Sequence, residues 1–236
     1  MTAEVATYVT CRDRLTCLQT LVGWLESGGR ERVVLIDCAS TYEPLLEWLE
    51  TQPYPVLRAP NLGPRAYWLL HQRLSDTSVA DSRAEPVVIT DCDTCPEADP
   101  AATYQILCDT LALAPTWVTK VGLALRTDDI PSHFPWRKEV QWQQARLEVN
   151  AVTEPRALPA PTAWGAVDTT FAIYRAASDP APDYARNWRV LSPRARHSSW
   201  YLDPSALPPD ELHYLTHLEH WTDWSRQLAA RAGVTQ

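Results

Sequence analysis

Glycine is scarce in this chain, with seven in 236 residues. Loops that cradle phosphates need glycine where backbone closely approaches the ligand. Neither G-x-x-x-x-G-K-[ST] nor G-x-G-x-x-G occurs, which argues against a Walker-type site and against a dehydrogenase. No G-x-S-x-G elbow supports a hydrolase. No apolar run approaches the roughly 18 residues of a membrane helix. The opening "MTAEVATYVTCRDR" lacks the basic-then-apolar order of a signal peptide, so a soluble, cytoplasmic protein is expected. A basic surplus is missing too. The net charge is −8, and a general nucleic-acid binder carries a basic face, so a nucleic-acid acceptor is disfavoured. The six cysteines are scattered, unlike a disulfide framework. Cys92 and Cys95 have C-x-x-C spacing, but no second pair completes a structural zinc site. Thiols packed as small apolar groups are expected.

The first half alternates strand and helix patterns. Val5–Thr10, Arg32–Asp37, Tyr54–Pro60, Glu85–Asp91 and Thr116–Leu125 read as strands. Between them, "RLTCLQTLVGWLES", "YEPLLEWLE", "PRAYWLLHQRL" and "ATYQILCDTLAL" read as helices. Repeated β-α units with short connections predict an α/β fold with a Rossmann-like, mostly parallel sheet flanked by helices. The runs "VVLID" and "VVITD" do not alternate, so both faces of those strands are predicted to be buried. Thr10, Asp37 and Asp91 end three strands along one edge, the edge where open α/β sheets bind ligands. In the second half, Trp136–Glu148 reads as a helix, "TEPRALPAPTAW" as a proline-rich connection and "GAVDTTFAIYRA" as extended chain. "SDPAPDYARN" reads as a loop, and Pro208–Gly233 as one long C-terminal helix. A single domain over residues 1–236 is expected. Residues 1–115 or so form a nucleotide-type half, and residues 116–236 an acceptor-side half.

The segment "PVVITDCDTCPEADP" carries the chemistry. Asp91 and Asp93 are two apart, so in extended chain both carboxylates face one side and Cys92 the other. Hard oxygen donors suit Mg²⁺ or Mn²⁺, which take further ligands from substrate phosphates. The alternative is a solvated acidic turn that caps the next helix together with Asp99.

Several stretches resemble, in order, glycosyltransferases of the GT-A fold, of the family-2-like kind found in bacteria and phages. They are "TYVTCRDRL", "LIDCASTYEPLLEWLE", "APNLGPRAYW", "VVITDCDTCPE", "VGLALRTDDIP", "GAVDTTFAIYRA" and "ARHSSWYLD", spread over about residues 5–225. The resemblance implies transfer of a sugar from a nucleoside-diphosphate donor, a UDP-sugar by preference, to a saccharide or other hydroxyl acceptor, with inversion. It places Thr10, Arg12, Asp37, Asn61 and Gly63 at the donor, and Asp91 and Asp93 at a Mn²⁺ or Mg²⁺ ion and the diphosphate. His197 becomes a further ligand to metal or phosphate, and Arg194 and Arg196 meet phosphate oxygens. The usual Glu-Asp pair ahead of the acceptor helix is lacking. Asp168 is therefore the first candidate for the base and Asp129 the second. Asp37 alternatively only initiates a turn with Ser40. A nucleotidyltransferase-like enzyme and a degenerate nucleotide-sugar-binding module are the alternatives. His213, His217 and His220 form a helical stripe read as packing rather than as a metal site. Trp164 and Trp200 are candidates to stack on a sugar.

Overall fold

A computed structural model describes residues 5–62, 66–67, 85–153, 157–167, 171–175, 186–219 and 221–234. Among these, ten strands form one sheet in the order β3-β2-β1-β4-β9-β6-β10-β8-β7, with β5 paired to β10. The front half is β1 (Ala6–Cys11), β2 (Val33–Cys38), β3 (Val56–Ala59) and β4 (Val87–Asp91), all parallel. Helix α1 (Leu15–Ser27) follows β1, and α2 (Glu43–Glu50) follows β2. The remaining strands are β5 (Thr94–Pro96), β6 (Lys120–Leu125), β7 (Asn150–Ala151), β8 (Thr162–Trp164), β9 (Ala172–Tyr174) and β10 (Asn187–His197). Antiparallel β9 sits between β4 and β6 and joins the two halves into one continuous sheet. The α/β class is as expected and is compatible with a GT-A arrangement. The back half is more mixed than a plain doubly wound sheet, because β5, β8 and β9 all run antiparallel to their partners.

Both faces of the front strands are buried. Val9, Leu35 and Val88 pack on one side with Leu18, Leu21 and Leu25 of α1. Tyr8, Val34, Ile36 and Ile89 pack on the other. Strand alternation explains this division, since neighbours in sequence face opposite sides. Helix α3 (Pro100–Leu113) starts where Asp99 accepts a hydrogen bond from the Ala102 amide at 2.9 Å, with Pro100 in its first turn, where a missing N–H costs nothing. Helix α4 (Arg137–Leu147) ends against β8, where Gly165 permits close approach. A β-carbon there would lie 2.3 Å from the Leu147 carbonyl oxygen.

Two elements differ from their sequence pattern. The eleven-residue β10 includes "RVLSPRARH", in which arginines and Pro193 interrupt any apolar run. Its pairing with β6 shifts register between Val190 and Arg194, which lets the strand carry the proline. The C-terminal helix is two helices, α5 (Pro209–Thr216) and α6 (Asp223–Arg231). The break comes from capping. The Thr222 side chain accepts from the Ser225 amide, and Ser225 returns a bond to the Thr222 amide, a reciprocal box that starts a new helix. Of the helix expected over residues 64–74, only Ala66 and Tyr67 are described, both buried. Gly63, Asp168 and His220 lie outside the described residues.

Candidate active site

The parallel register sets a row of side chains along the carboxyl edge of the sheet. Asp91 lies beside Thr10, Asp37 beside Cys11, and Arg58 beside Asp37. A cavity of about 910 Å³ opens over this edge. Its walls include Thr10 of β1 with Arg12 and Arg14 beyond it, Asn61 after β3, and Asp91 at the end of β4 with Asp93 beyond it. His197 at the end of β10 and Trp200 beyond it complete that side. Glu139 and Gln144 of α4, Trp221, and Trp224 of α6 also line it. Segments far apart in sequence therefore meet at the expected edge.

The two aspartates have different surroundings. Asp91 ends β4 half-buried, and its Oδ1 accepts from the Thr10 hydroxyl at 2.7 Å. Cys92 and Asp93 then form a turn, so the extended geometry expected across Asp91–Asp93 is not kept. Cys92 packs into the core. Asp93 is buried, and three groups converge on its Oδ2. These are the Arg14 guanidinium, the Ser199 hydroxyl at 2.9 Å and His197 Nε2 at 3.4 Å. Burial opposes ionisation of Asp93, but His197, Arg14 and the Ser199 bond outweigh it and hold the carboxyl below its ordinary range. His197 is itself fixed, stacked on Trp200 with ring centres 4.5 Å apart and met edge-on by Trp224.

Arg14 is the site residue that the sequence reading misses. Its guanidinium bridges Asp93 and Glu211, the latter at 3.2 Å, and lies 3.8 Å over the Tyr214 ring. Glu211 is buried on α5, and burial pushes its carboxyl up despite Arg14. A fully buried chain Asp93–Arg14–Glu211 thus ties the strand-end turn to the C-terminal region. The only signal in the sequence is an arginine at the start of α1, a position that reads equally well as a solvated helix end.

Other expected residues are engaged by partners of their own. Arg12 donates to Glu219 at 3.1 Å and to the His217 carbonyl at 3.2 Å. Asn61 donates to the other carboxylate oxygen of Glu219 at 3.0 Å. Asp37 is buried, ion-paired with Arg58, and accepts from the Ser40 amide at 3.1 Å, which is the turn-initiating role. Asp129 and Arg196 pair with each other outside the cavity wall. Asp129 also accepts from Tyr201 at 2.7 Å, and Arg194 grips Glu148 through two bonds. Strand parity is the reason. Arg194 and Arg196 face the side of β10 opposite to His197. Asp129 is thereby a poor base, for although burial opposes ionisation, Tyr201 and Arg196 hold its carboxyl below the usual range. Trp164 is covered by Trp117, stacked 5.0 Å away. His213 stacks on His217 and bonds Thr41, a packing arrangement.

The donors fit a divalent ion only with help from a substrate. Asp91 offers a carboxylate at the wall, and Asp93 borders the cavity with its Oδ2 held by three contacts. No cluster of three or more His, Cys, Asp or Glu side chains that could hold a metal occurs among the described residues. A Mg²⁺- or Mn²⁺-type ion takes one or two carboxylates and completes its shell with water and phosphate oxygens, which this pair permits. Arg14 and Trp200 border the cavity, whereas the Arg14 Nη2 and Trp200 Nε1 donors themselves are closed off from solvent.

The thiols at this edge are inert by the same physics. Burial, with Asp37 and Asp91 nearby, pushes Cys38 up to about 12, and burial raises Cys11, Cys17 and Cys92 well above their usual range. Because the thiolate is the nucleophile, iodoacetamide at pH 8 should modify the native protein only slowly, at the half-buried Cys95 and Cys108, which burial also raises, Cys95 to about 11, and spare the other four. Intact-mass analysis checks this. Rapid labelling of Cys92 in the folded protein would contradict the packing described.

No family model and no curated protein matches the chain. Among solved structures it is similar to mouse xyloside xylosyltransferase 1 in its apo form, with 8% identity and a TM-score of 0.31. That match covers 72% of this chain and 66% of the other, so the chain spans just under two thirds of that protein. Among the described residues, no helix is long and apolar enough to cross a membrane.

Proposed function

We propose that this protein is a metal-dependent glycosyltransferase that moves a sugar from a nucleoside-diphosphate donor to an acceptor hydroxyl, with inversion. One observation supports this reading above the others. A single cavity at the carboxyl edge of the parallel strands gathers Asp91, Asp93, Arg14, His197 and Thr10 from three separate segments. That combination of carboxylates and cationic donors suits a metal-bound diphosphate.

In this reading Asp91 and Asp93 would hold Mn²⁺ or Mg²⁺, and His197 would contact the metal or a phosphate. The ion supplies Lewis-acid stabilisation of the diphosphate as it leaves. Arg14 and Ser199 fix Asp93 in place, and Thr10 orients Asp91. Arg12 and Asn61 meet the anionic part of the donor. The acceptor approaches from the α4 and α6 side, where Glu139 accepts hydrogen bonds from Gln143 and Gln227 and so presents an oriented carboxylate. Asp168 is proposed as the base. The acceptor oxygen bonds to the anomeric carbon, the carbon–phosphate-oxygen bond breaks, and the acceptor proton passes to the carboxylate.

Thermal-shift screening against UDP-, GDP-, dTDP- and CMP-sugars, each with Mn²⁺ and with EDTA, tests this. One donor class should raise Tm with Mn²⁺ and lose that effect with EDTA. A shift indifferent to EDTA would remove the metal role. No shift with any of the four would remove the donor role.

A further inference from the structure

Glu219 lies in the connection between α5 and α6, and both of its carboxylate oxygens are engaged by residues of the cavity wall. Arg12 Nη2 meets Oε1 at 3.1 Å, and Asn61 Nδ2 meets Oε2 at 3.0 Å. Arg12 comes from the segment after β1 and Asn61 from the segment after β3, so neither is a sequence neighbour of Glu219 or of the other. A guanidinium and an amide that converge on two oxygens of one anion have the geometry of a phosphate or carboxylate subsite. Glu219 is more than half exposed, whereas Arg12 is mostly buried. The anchored partner is thus the cation, and the carboxylate reaches in from outside.

We infer that Arg12 and Asn61 form an anion subsite that this chain fills with its own Glu219, so that an anionic ligand must displace Glu219 to bind. This rests on the reading of the cavity as a nucleoside-diphosphate site and adds a competitor built into the chain. An exposed ion pair is weak, whereas a diphosphate carries more charge than one carboxylate and can engage Arg12 and the rest of the wall together. Displacement is therefore favourable, and the internal carboxylate lowers apparent affinity by the factor needed to release it. Leu218 and Trp221, on either side, also border the cavity, so release of Glu219 changes the wall near the ligand. On release of Glu219, Arg12 still has Asp13 at 3.7 Å and the His217 carbonyl at 3.2 Å as partners.

Calorimetric titration with inorganic pyrophosphate and, separately, with UDP in the presence of Mn²⁺ tests the inference on the full chain. Glu219→Gln removes the charge with little change in shape, at an exposed position where the fold should be unaffected. It should tighten pyrophosphate binding about two- to five-fold, the range set by an exposed ion pair, and the gain should shrink as salt is added. Arg12→Gln should weaken binding, and the gain from Glu219→Gln should vanish in the Arg12→Gln background, as a shared contact requires. Pyrophosphate affinity that is unchanged or weaker in Glu219→Gln overturns the inference, as does failure of pyrophosphate to bind either protein. Tighter pyrophosphate binding without any UDP binding upholds the competition and overturns the donor reading. UDP binding with no response to Glu219→Gln does the reverse.

Discussion

Arg14→Leu should lower the unfolding free energy by about 3–5 kcal/mol, the cost of leaving buried charges without their partner. Two carboxylates lose this cation at once, Asp93 at the strand-end turn, which keeps His197 and Ser199, and Glu211 on α5. Neither has solvent to fall back on, since both are buried. The double variant Arg14→Leu/Glu211→Gln should lose less than Arg14→Leu alone, because the amide removes one stranded charge. Urea denaturation measures both. A loss under about 1 kcal/mol in the single variant, the level of an exposed pair, would show that the buried chain does not carry the structural role assigned to it. The pH dependence has a definite sign. Asp93 has a folded pKa below its ordinary 3.8, so its contribution is complete above that value and is lost as pH falls through the folded pKa. Arg14→Leu removes one of the interactions that lower it and so should reduce this part of the acid sensitivity.

Asp91→Asn should act on binding rather than on folding. Its carboxylate accepts from Thr10, a bond an amide oxygen also accepts, so the apo Tm should change little. Metal-dependent affinity for the nucleoside diphosphate should fall about 10²-fold, the 2–3 kcal/mol expected for a charged hydrogen-bonding or ligating group. Calorimetry with Mn²⁺ and with EDTA separates the two contributions. In EDTA the variant should bind no worse than wild type, since without the ion Asp91 only repels the diphosphate. Equal affinity of variant and wild type in Mn²⁺ would remove Asp91 from the metal site.

The contrast between Arg14 and Asp91 shows where the sequence was informative. Asp91 was legible because a buried apolar run, Val87–Thr90, ends on it, and in a parallel sheet such ends share one edge. The same logic located Thr10 and Asp37. It could not say that Asp37 would be taken by Arg58, because that pairing depends on the β2–β3 register. Arg14 was illegible because an arginine at a helix start has no local reason to be buried. Only the return of Glu211 and Asp93 from distant segments encloses it. Strand β10 was missed because its arginines and proline hide a strand whose polar groups are paired with Gln144, Glu148 and Asp129. That loss carried a second error. With the strand unrecognised, its parity was unknown, and Arg196 was placed beside His197 at the phosphates instead of on the opposite face. The break between α5 and α6 was hidden by a helical periodicity that runs on through "THLEHWTDW", although the Thr222–Ser225 capping box is present in the sequence.

The central claim is that Asp91 and Asp93 position a metal-bound diphosphate for cleavage from a sugar. Its most direct test is release of nucleoside diphosphate from whichever nucleotide sugar raises Tm, followed by mass spectrometry in wild type and in Asp91→Asn. Wild type with Mn²⁺ should release the diphosphate together with transferred or hydrolysed sugar. EDTA should stop the release, and the Asp91→Asn variant, folded and with unchanged apo Tm, should lose it. Release that continues undiminished in EDTA and in Asp91→Asn would contradict the claim.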